Sequence, residues 1–344
     1  MRSMPGGTMK KLMAVYDTDP MYAERLSDYV NRKEKGVFSA QAFTSREKLM
    51  DFAKDNEIDV LLTGEPVESQ EMRRIPSRQK IHLTEERTGC SEQEIYKYQS
   101  GDDIIREVMT FYCDLPGTEP TASLAFGKQK RLIGVFSPVG RCGKTCLALS
   151  IGQLLAKEEK VLFVSLDTFT GFPCLFNERW KRDLSDLIYY YKLGRFNGIR
   201  LNSLVYYLGD MAWLPPIRFP DDYSQVSAEE MADLMQSILR ESSYTTLVLD
   251  VGDYGRQVLP LLEICQVVYM PMKEDAFSLA KLREFEEYVE TSSKNRVKEK
   301  LQKIHVPMVT GGKRMEHFPQ ELLWSDMGDF VRGLLKGQRD IWDS

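Results

Sequence analysis

Arg131-Leu132-Ile133-Gly134-Val135-Phe136-Ser137 runs into Pro138-Val139-Gly140-Arg141-Cys142-Gly143-Lys144-Thr145, and Cys146-Leu147-Ala148-Leu149-Ser150-Ile151 follows. The order reads as an apolar strand, a glycine-containing loop and a helix. A loop of this kind binds phosphate when its glycines let successive backbone N–H groups converge on an anion at a helix N-terminus. A lysine then reaches the terminal phosphates and a hydroxyl meets Mg²⁺. Gly140, Gly143, Lys144 and Thr145 supply those parts, while Pro138 stands where the full pattern has a glycine.

The chain around this loop has 344 residues, 42% of them hydrophobic, and a formal net charge of −5. That is enough for two packed domains and excludes disordered and fibrous classes. The acidic total argues against a surface tuned throughout for nucleic acid. Six cysteines, Cys90, Cys113, Cys142, Cys146, Cys174 and Cys265, form no C-x-x-C pair, so reduced thiols of a cytoplasmic protein are expected. No stretch reads as a membrane span. Residues 1–8, with Pro5-Gly6-Gly7, read as an extension ahead of Met9.

From Met9 strand-like and helical stretches alternate: Lys11 to Tyr16, Met21 to Asn31, Val37 to Phe43, Ser45 to Lys54, Ile58 to Thr63, Lys80 to Thr84, Glu94 to Tyr98 and Asp103 to Tyr112. Alternation at these lengths predicts a parallel sheet with helices on both faces. Residues 114–130, containing Leu115-Pro116-Gly117 and Glu119-Pro120, read as a linker. The expected fold is therefore α/β with two doubly wound parallel-sheet domains, 9–113 and 131–344. Strands of the second are expected at Leu132 to Ser137, Val161 to Leu166, Met211 to Leu214, Thr246 to Asp250, Val267 to Met270 and Ile304 to Val309.

In element order, and in the placement of Asp17, Asp19, Thr84 and Lys97, the first domain resembles a response-regulator receiver. The resemblance implies a flavodoxin-like fold with a phosphoacceptor aspartate at the end of the third strand, where this chain has Thr63. A hydroxyl cannot replace that carboxylate, so no phosphotransfer is expected, and an interaction module remains. Asp17 and Asp19 read either as a pair of Mg²⁺ ligands or, preferably, as a helix-capping turn.

The second domain resembles the MinD/ParA family of P-loop ATPases. Beyond the loop, Lys160 to Asp167 is an apolar strand ending in an acid, and Tyr244 to Gly255 is another whose strand ends at Asp250. The resemblance implies that Asp167, with Lys144, serves catalysis by orienting the attacking water. It also implies that Asp250 joins Thr145 at Mg²⁺ and that Gly255 lets a second switch approach the γ-phosphate. Gly140, Arg141, Cys142, Gly143, Lys144, Thr145 and Cys146 are the candidate ATP contacts, and Pro307 is the candidate near adenine. The family's second loop lysine, which crosses a dimer to the partner's phosphates, falls on Val139, so slow or absent hydrolysis is expected. Arg141 is either its substitute or a solvated loop arginine.

A receiver-like domain without its phosphoacceptor, joined to an ATPase without its signature lysine, is similar to the TadZ/CpaE family. That resemblance implies an ATP-bound homodimer at a cell pole that recruits pilus or secretion assembly proteins, with no nucleic-acid partner and at most indirect membrane contact. A MinD/ParA-like ATPase in DNA partition or division-site placement is the alternative. In the stretch Glu321 to Leu335, Leu323, Met327, Phe330, Val331 and Leu334 share a helical face. Asp326 and Asp329 interrupt the polar side, so packing on the ATPase sheet is expected over membrane binding.

Overall fold

A computed structural model describes residues 10–32, 37–86, 93–115, 130–176, 180–252, 258–292, 295–309 and 317–342. The expected extension before Met9, most of the expected linker, Cys90 and Gly255 lie outside the described residues. The chain divides into two compact units, Met1–Thr121 and Ala122–Ser344.

The first unit holds β1 (Lys11–Tyr16), β2 (Phe38–Phe43), β3 (Val60–Thr63), β4 (Gln79–Thr84) and β5 (Glu94–Tyr96). They form one sheet in the order β2-β1-β3-β4-β5, parallel throughout. β3 is buried along its whole length, as a central parallel strand must be. Helices Pro20–Arg32, Arg46–Asp55 and Gln70–Arg74 connect β1 through β4 in turn, and Gly101–Cys113 follows β5. Ser45, Ser69 and Ser100 cap the last three through their hydroxyls.

The second unit holds β6 (Arg131–Val135), β7 (Val161–Ser165), β8 (Tyr206–Leu208), β9 (Met211–Leu214), β10 (Thr246–Asp250), β11 (Val267–Pro271) and β12 (Leu301–Ile304). The sheet runs β12-β11-β6-β10-β7-β9-β8. Its central strands alternate between two buried clusters. Leu132, Leu162, Val164, Leu247 and Leu249 face one side; Ile133, Val135, Phe163 and Val248 face the other. The first cluster is closed by helices Leu184–Lys192, Ala228–Glu241 and Val258–Ile264, and the second by helix Lys144–Leu155 and the C-terminal helix Asp326–Trp342.

Two features depart from the sequence expectation. The sheet is not wholly parallel, because β8 adds to its edge antiparallel to β9, with Leu208 opposite Met211. Gly209, at φ 60°, and Asp210 make the two-residue turn between them. The last strand is Leu301–Ile304, ending where Ile304 to Val309 was expected to begin. As an edge strand it is only partly buried, so it carries Gln302 and Lys303 instead of an apolar run.

The C-terminal helix packs as expected. Met327, Val331 and Leu335 are buried with Leu322 against the sheet, and Phe330 and Leu334 flank them. No helix among the described residues is long and apolar enough to cross a membrane.

Candidate nucleotide site in the second unit

β6, β7 and β10 end side by side, and the loops leaving them carry the candidate residues. Open parallel sheets bind ligands at this end of the strands. After β6 the chain tightens. Ser137 Oγ accepts the Val139 N–H at 3.1 Å, and the Cys142 thiol donates to the Val139 carbonyl at 3.1 Å. Arg141 and Gly143 take left-handed backbone conformations, φ 54° and 88°. Gly143 precedes helix Lys144–Leu155 as its N-cap without any side-chain cap, which leaves the helix's first N–H groups to whatever anion approaches. The positive φ favours glycine there, and a Cβ would also stand a tight 3.1 Å from Val306 Cγ2. Lys144 folds back so that Nζ donates to the Ser137 carbonyl at 3.2 Å.

Asp250, the last residue of β10, is fully buried. Its Oδ2 accepts the hydroxyls of Thr145 at 2.9 Å and Ser165 at 3.0 Å, while Oδ1 has no hydrogen-bond partner. Burial pushes the carboxyl up to about 6. The two hydroxyls oppose that rise, Asp167 adds to it and Lys144 opposes it. A buried carboxylate with one unbonded oxygen, next to a threonine hydroxyl, fits a hard divalent cation that completes its shell with phosphate and water oxygens. Among the described residues, no group of three or more His, Cys, Asp or Glu could hold a metal by itself. Cys146 sits beside this carboxylate. Burial, and then the charge of Asp250, push its thiol up to about 11, so it remains protonated.

The other sequence candidates divide between this rim and its surroundings. Asp167 is half-buried two residues beyond β7, and its N–H donates to Ser165 Oγ at 3.3 Å. Gly140 and Arg141 are exposed, and a Cβ on Gly140 would meet nothing within 4 Å. Cys142 is buried beneath the loop. Pro307 is half-exposed in the segment after β12, next to Val306, whose side chain packs on Gly143. Val139 is buried in the core cluster, 3% exposed. Sequence reasoning missed Ser165 and Gly252. The register that pairs Ser165 with Asp250 across β7 and β10 reveals the first, and only the folded approach of two loops reveals the second.

In the first unit the receiver-like residues bond mainly to nearby backbone, and the buried Asp17 Oδ2 has no hydrogen-bond partner. Asp19 Oδ1 accepts the N–H groups of Met21 and Tyr22, at 2.9 and 3.3 Å, and so caps helix Pro20–Arg32. Buried Asp17 accepts the Asp19 N–H at 2.9 Å through Oδ1, and its Oδ2 lies 3.7 Å from Lys97 Nζ. Lys97 also meets Glu85 at 2.7 Å. Burial opposes its charge, but the two carboxylates outweigh burial and hold the amine above its usual range. Thr63 is fully buried, and its hydroxyl accepts the Glu65 N–H at 3.0 Å and donates to the Glu65 carbonyl at 3.2 Å. Thr84 likewise donates to the Glu86 carbonyl at 2.7 Å.

Residues 9–113 match the family described as "TadZ-like, receiver domain". Over those residues the first unit is similar to a TadZ-like receiver domain. That match covers the first unit and leaves the second unit unassigned. A comparison with curated proteins found no match. Solved structures similar to part of the chain include a ParA family ATPase from Chlorobium tepidum, 17% identical, with a TM-score of 0.46, covering 58% of this chain and 81% of that one. A putative plasmid partition protein from Borrelia burgdorferi bound to AMPPNP is 19% identical, with a TM-score of 0.42, covering 57% and 81%. The septum site-determining protein MinD from Pyrococcus horikoshii complexed with Mg-ADP is 13% identical, with a TM-score of 0.40, covering 53% and 82%.

Proposed function

We propose that this chain is a nucleotide-dependent positioning protein. Its P-loop unit, residues 131–344, binds ATP with Mg²⁺ and dimerises, and its TadZ-like receiver domain, residues 9–113, recruits or places a pilus or secretion assembly machinery at a cell pole. Residues 114–130 link the two. The observation that carries this reading is the convergence of Lys144, Thr145 and buried Asp250 at the strand ends, with Asp167 on the same rim. When bound, the cation supplies charge neutralisation for the phosphates. Thr145 and Asp250 would hold it, the loop N–H groups from Gly140 to Cys146 would cradle phosphate, and the segment with Pro307 would lie near the base.

Hydrolysis is slow or absent in this reading. The position that would send a cation across a dimer is Val139, which faces the core and carries no charge. The receiver domain points toward binding as well, because its Thr63 hydroxyl is spent on the backbone of Glu65.

Light scattering of the full chain with and without ATP and Mg²⁺, alongside phosphate release, tests this. The expected result is an ATP-dependent dimer with little phosphate released, and loss of both binding and dimer in Lys144→Ala. Turnover typical of an active partition ATPase refutes slow hydrolysis, and a chain that stays monomeric with ATP refutes the dimer.

A further inference from the structure

The aspartate after β7 is held in place by two residues that carry no charge of their own. Ser165 is fully buried and pairs in register with Asp250 across β7 and β10. Its hydroxyl donates to Asp250 Oδ2 at 3.0 Å and accepts the Asp167 N–H at 3.3 Å, so one oxygen joins the carboxylate of one strand end to the backbone of the other. The Leu166 N–H, between them, donates to the Asp250 carbonyl at 2.8 Å. An acid in place of Ser165 could not donate to Asp250 and would set a second negative charge against a buried one.

Gly252 presses on the same residue from the other side. It has φ 61°, and a Cβ built there would stand 2.5 Å from Asp167 Cα and 2.8 Å from its backbone nitrogen. Those distances leave no room for any side chain, so the main chain of Asp167 lies directly against Gly252. The backbone of Asp167 is thus fixed from both sides.

We propose that Ser165 and Gly252 are positioning residues for Asp167: together they tie its backbone to the end of β10, so that its carboxylate and that of Asp250 are presented to the ligand as one preset unit. This rests on the nucleotide-site reading. Neither residue touches nucleotide in the proposal; Gly252 acts through Asp167, and Ser165 acts through Asp167 and Asp250 together.

The test is a pair of double-mutant cycles on the full chain, reading the affinity for fluorescent ATP and ADP analogues with Mg²⁺ and with a chelator. Ser165→Ala and Gly252→Ala are each expected to cut the gain in ATP affinity that Mg²⁺ confers by roughly tenfold, and to leave chelator-condition ADP affinity within about twofold. Combined with Asp167→Ala, which shows the same loss, Gly252→Ala is expected to weaken binding no further, and Ser165→Ala to keep only the smaller part of its effect that runs through Asp250. A loss of full size in the Asp167→Ala background overturns the inference, because the residues would then act on the site independently of Asp167. If Gly252→Ala does not fold, the Ser165→Ala cycle decides alone. Wild-type protein that binds no ATP, or Lys144→Ala that binds it as tightly as wild type, overturns the nucleotide-site reading and this inference with it. Normal binding with additive cycles overturns the inference only.

Discussion

Replacing Asp250 with asparagine is expected to stabilise the folded chain at neutral pH in the presence of a chelator, while removing its response to Mg²⁺ and ATP. The carboxyl is fully buried, and burial lifts it from 3.8 to about 6 against the pull of the Thr145 and Ser165 hydroxyls. That rise is worth about 3 kcal/mol. Because the folded state holds this proton more tightly than the unfolded chain does, its contribution to stability is fully present below about pH 4. It declines as pH rises toward about 6, and above that it is lost. Asparagine is neutral throughout and its carbonyl can accept both hydroxyls, but its amide group would take the place of Oδ1, which has no partner, at a cost of about 1 kcal/mol. The net expectation is a variant weaker than wild type by about 1 kcal/mol near pH 4 and stronger by about 2 kcal/mol at pH 7. Urea denaturation of both proteins across that range, in chelator, measures the difference. A difference that does not change with pH would refute the view of Asp250 as a buried charge awaiting a cation.

Val139→Lys, which restores the family's lysine in sequence, is expected to cost about 2 to 4 kcal/mol in a thermal or urea melt and to leave phosphate release unchanged, since the position is buried in the core. Incubation of the full chain with acetyl phosphate and Mg²⁺ is expected to leave the receiver domain unmodified by mass spectrometry, because Thr63 is buried and Lys97 already pairs with Asp17. A phosphorylated Thr63 would contradict that. Val331→Asp should lower stability by about 3 kcal/mol or more and create no affinity for anionic vesicles, because Val331 is fully buried against the sheet. Wild-type protein that sediments with vesicles through this helix would contradict the packing role.

The parts of the molecule that were legible in sequence are those where local chemistry is self-sufficient. Apolar runs such as Thr246-Leu247-Val248-Leu249 declare a doubly covered parallel strand, and Gly143-Lys144-Thr145 declares the start of a helix. The parts that were not legible depend on pairings distant in sequence. β8 is only three residues long, and the turn signal of Gly209-Asp210 was its one local sign. β12 is a half-exposed edge, so the apolar pattern beyond it was the more conspicuous and the wrong one. Asp19 could be read as a cap from its neighbours, whereas the pairing of Asp17 with Lys97 required the folded sheet. Ser165 is one small residue in an apolar strand, and only the β7–β10 register makes it a donor to Asp250.

The packing of Val306 and Met327 around Gly143 bears on how the protein is made. The phosphate loop is synthesised early in its unit, yet the side chains that back it come from the segment after β12 and from the C-terminal helix. A nascent chain therefore carries the loop's glycines, lysine and threonine long before it carries the wall behind them. A product that terminates ahead of Val306 would carry the whole motif without the side chains that back Gly143.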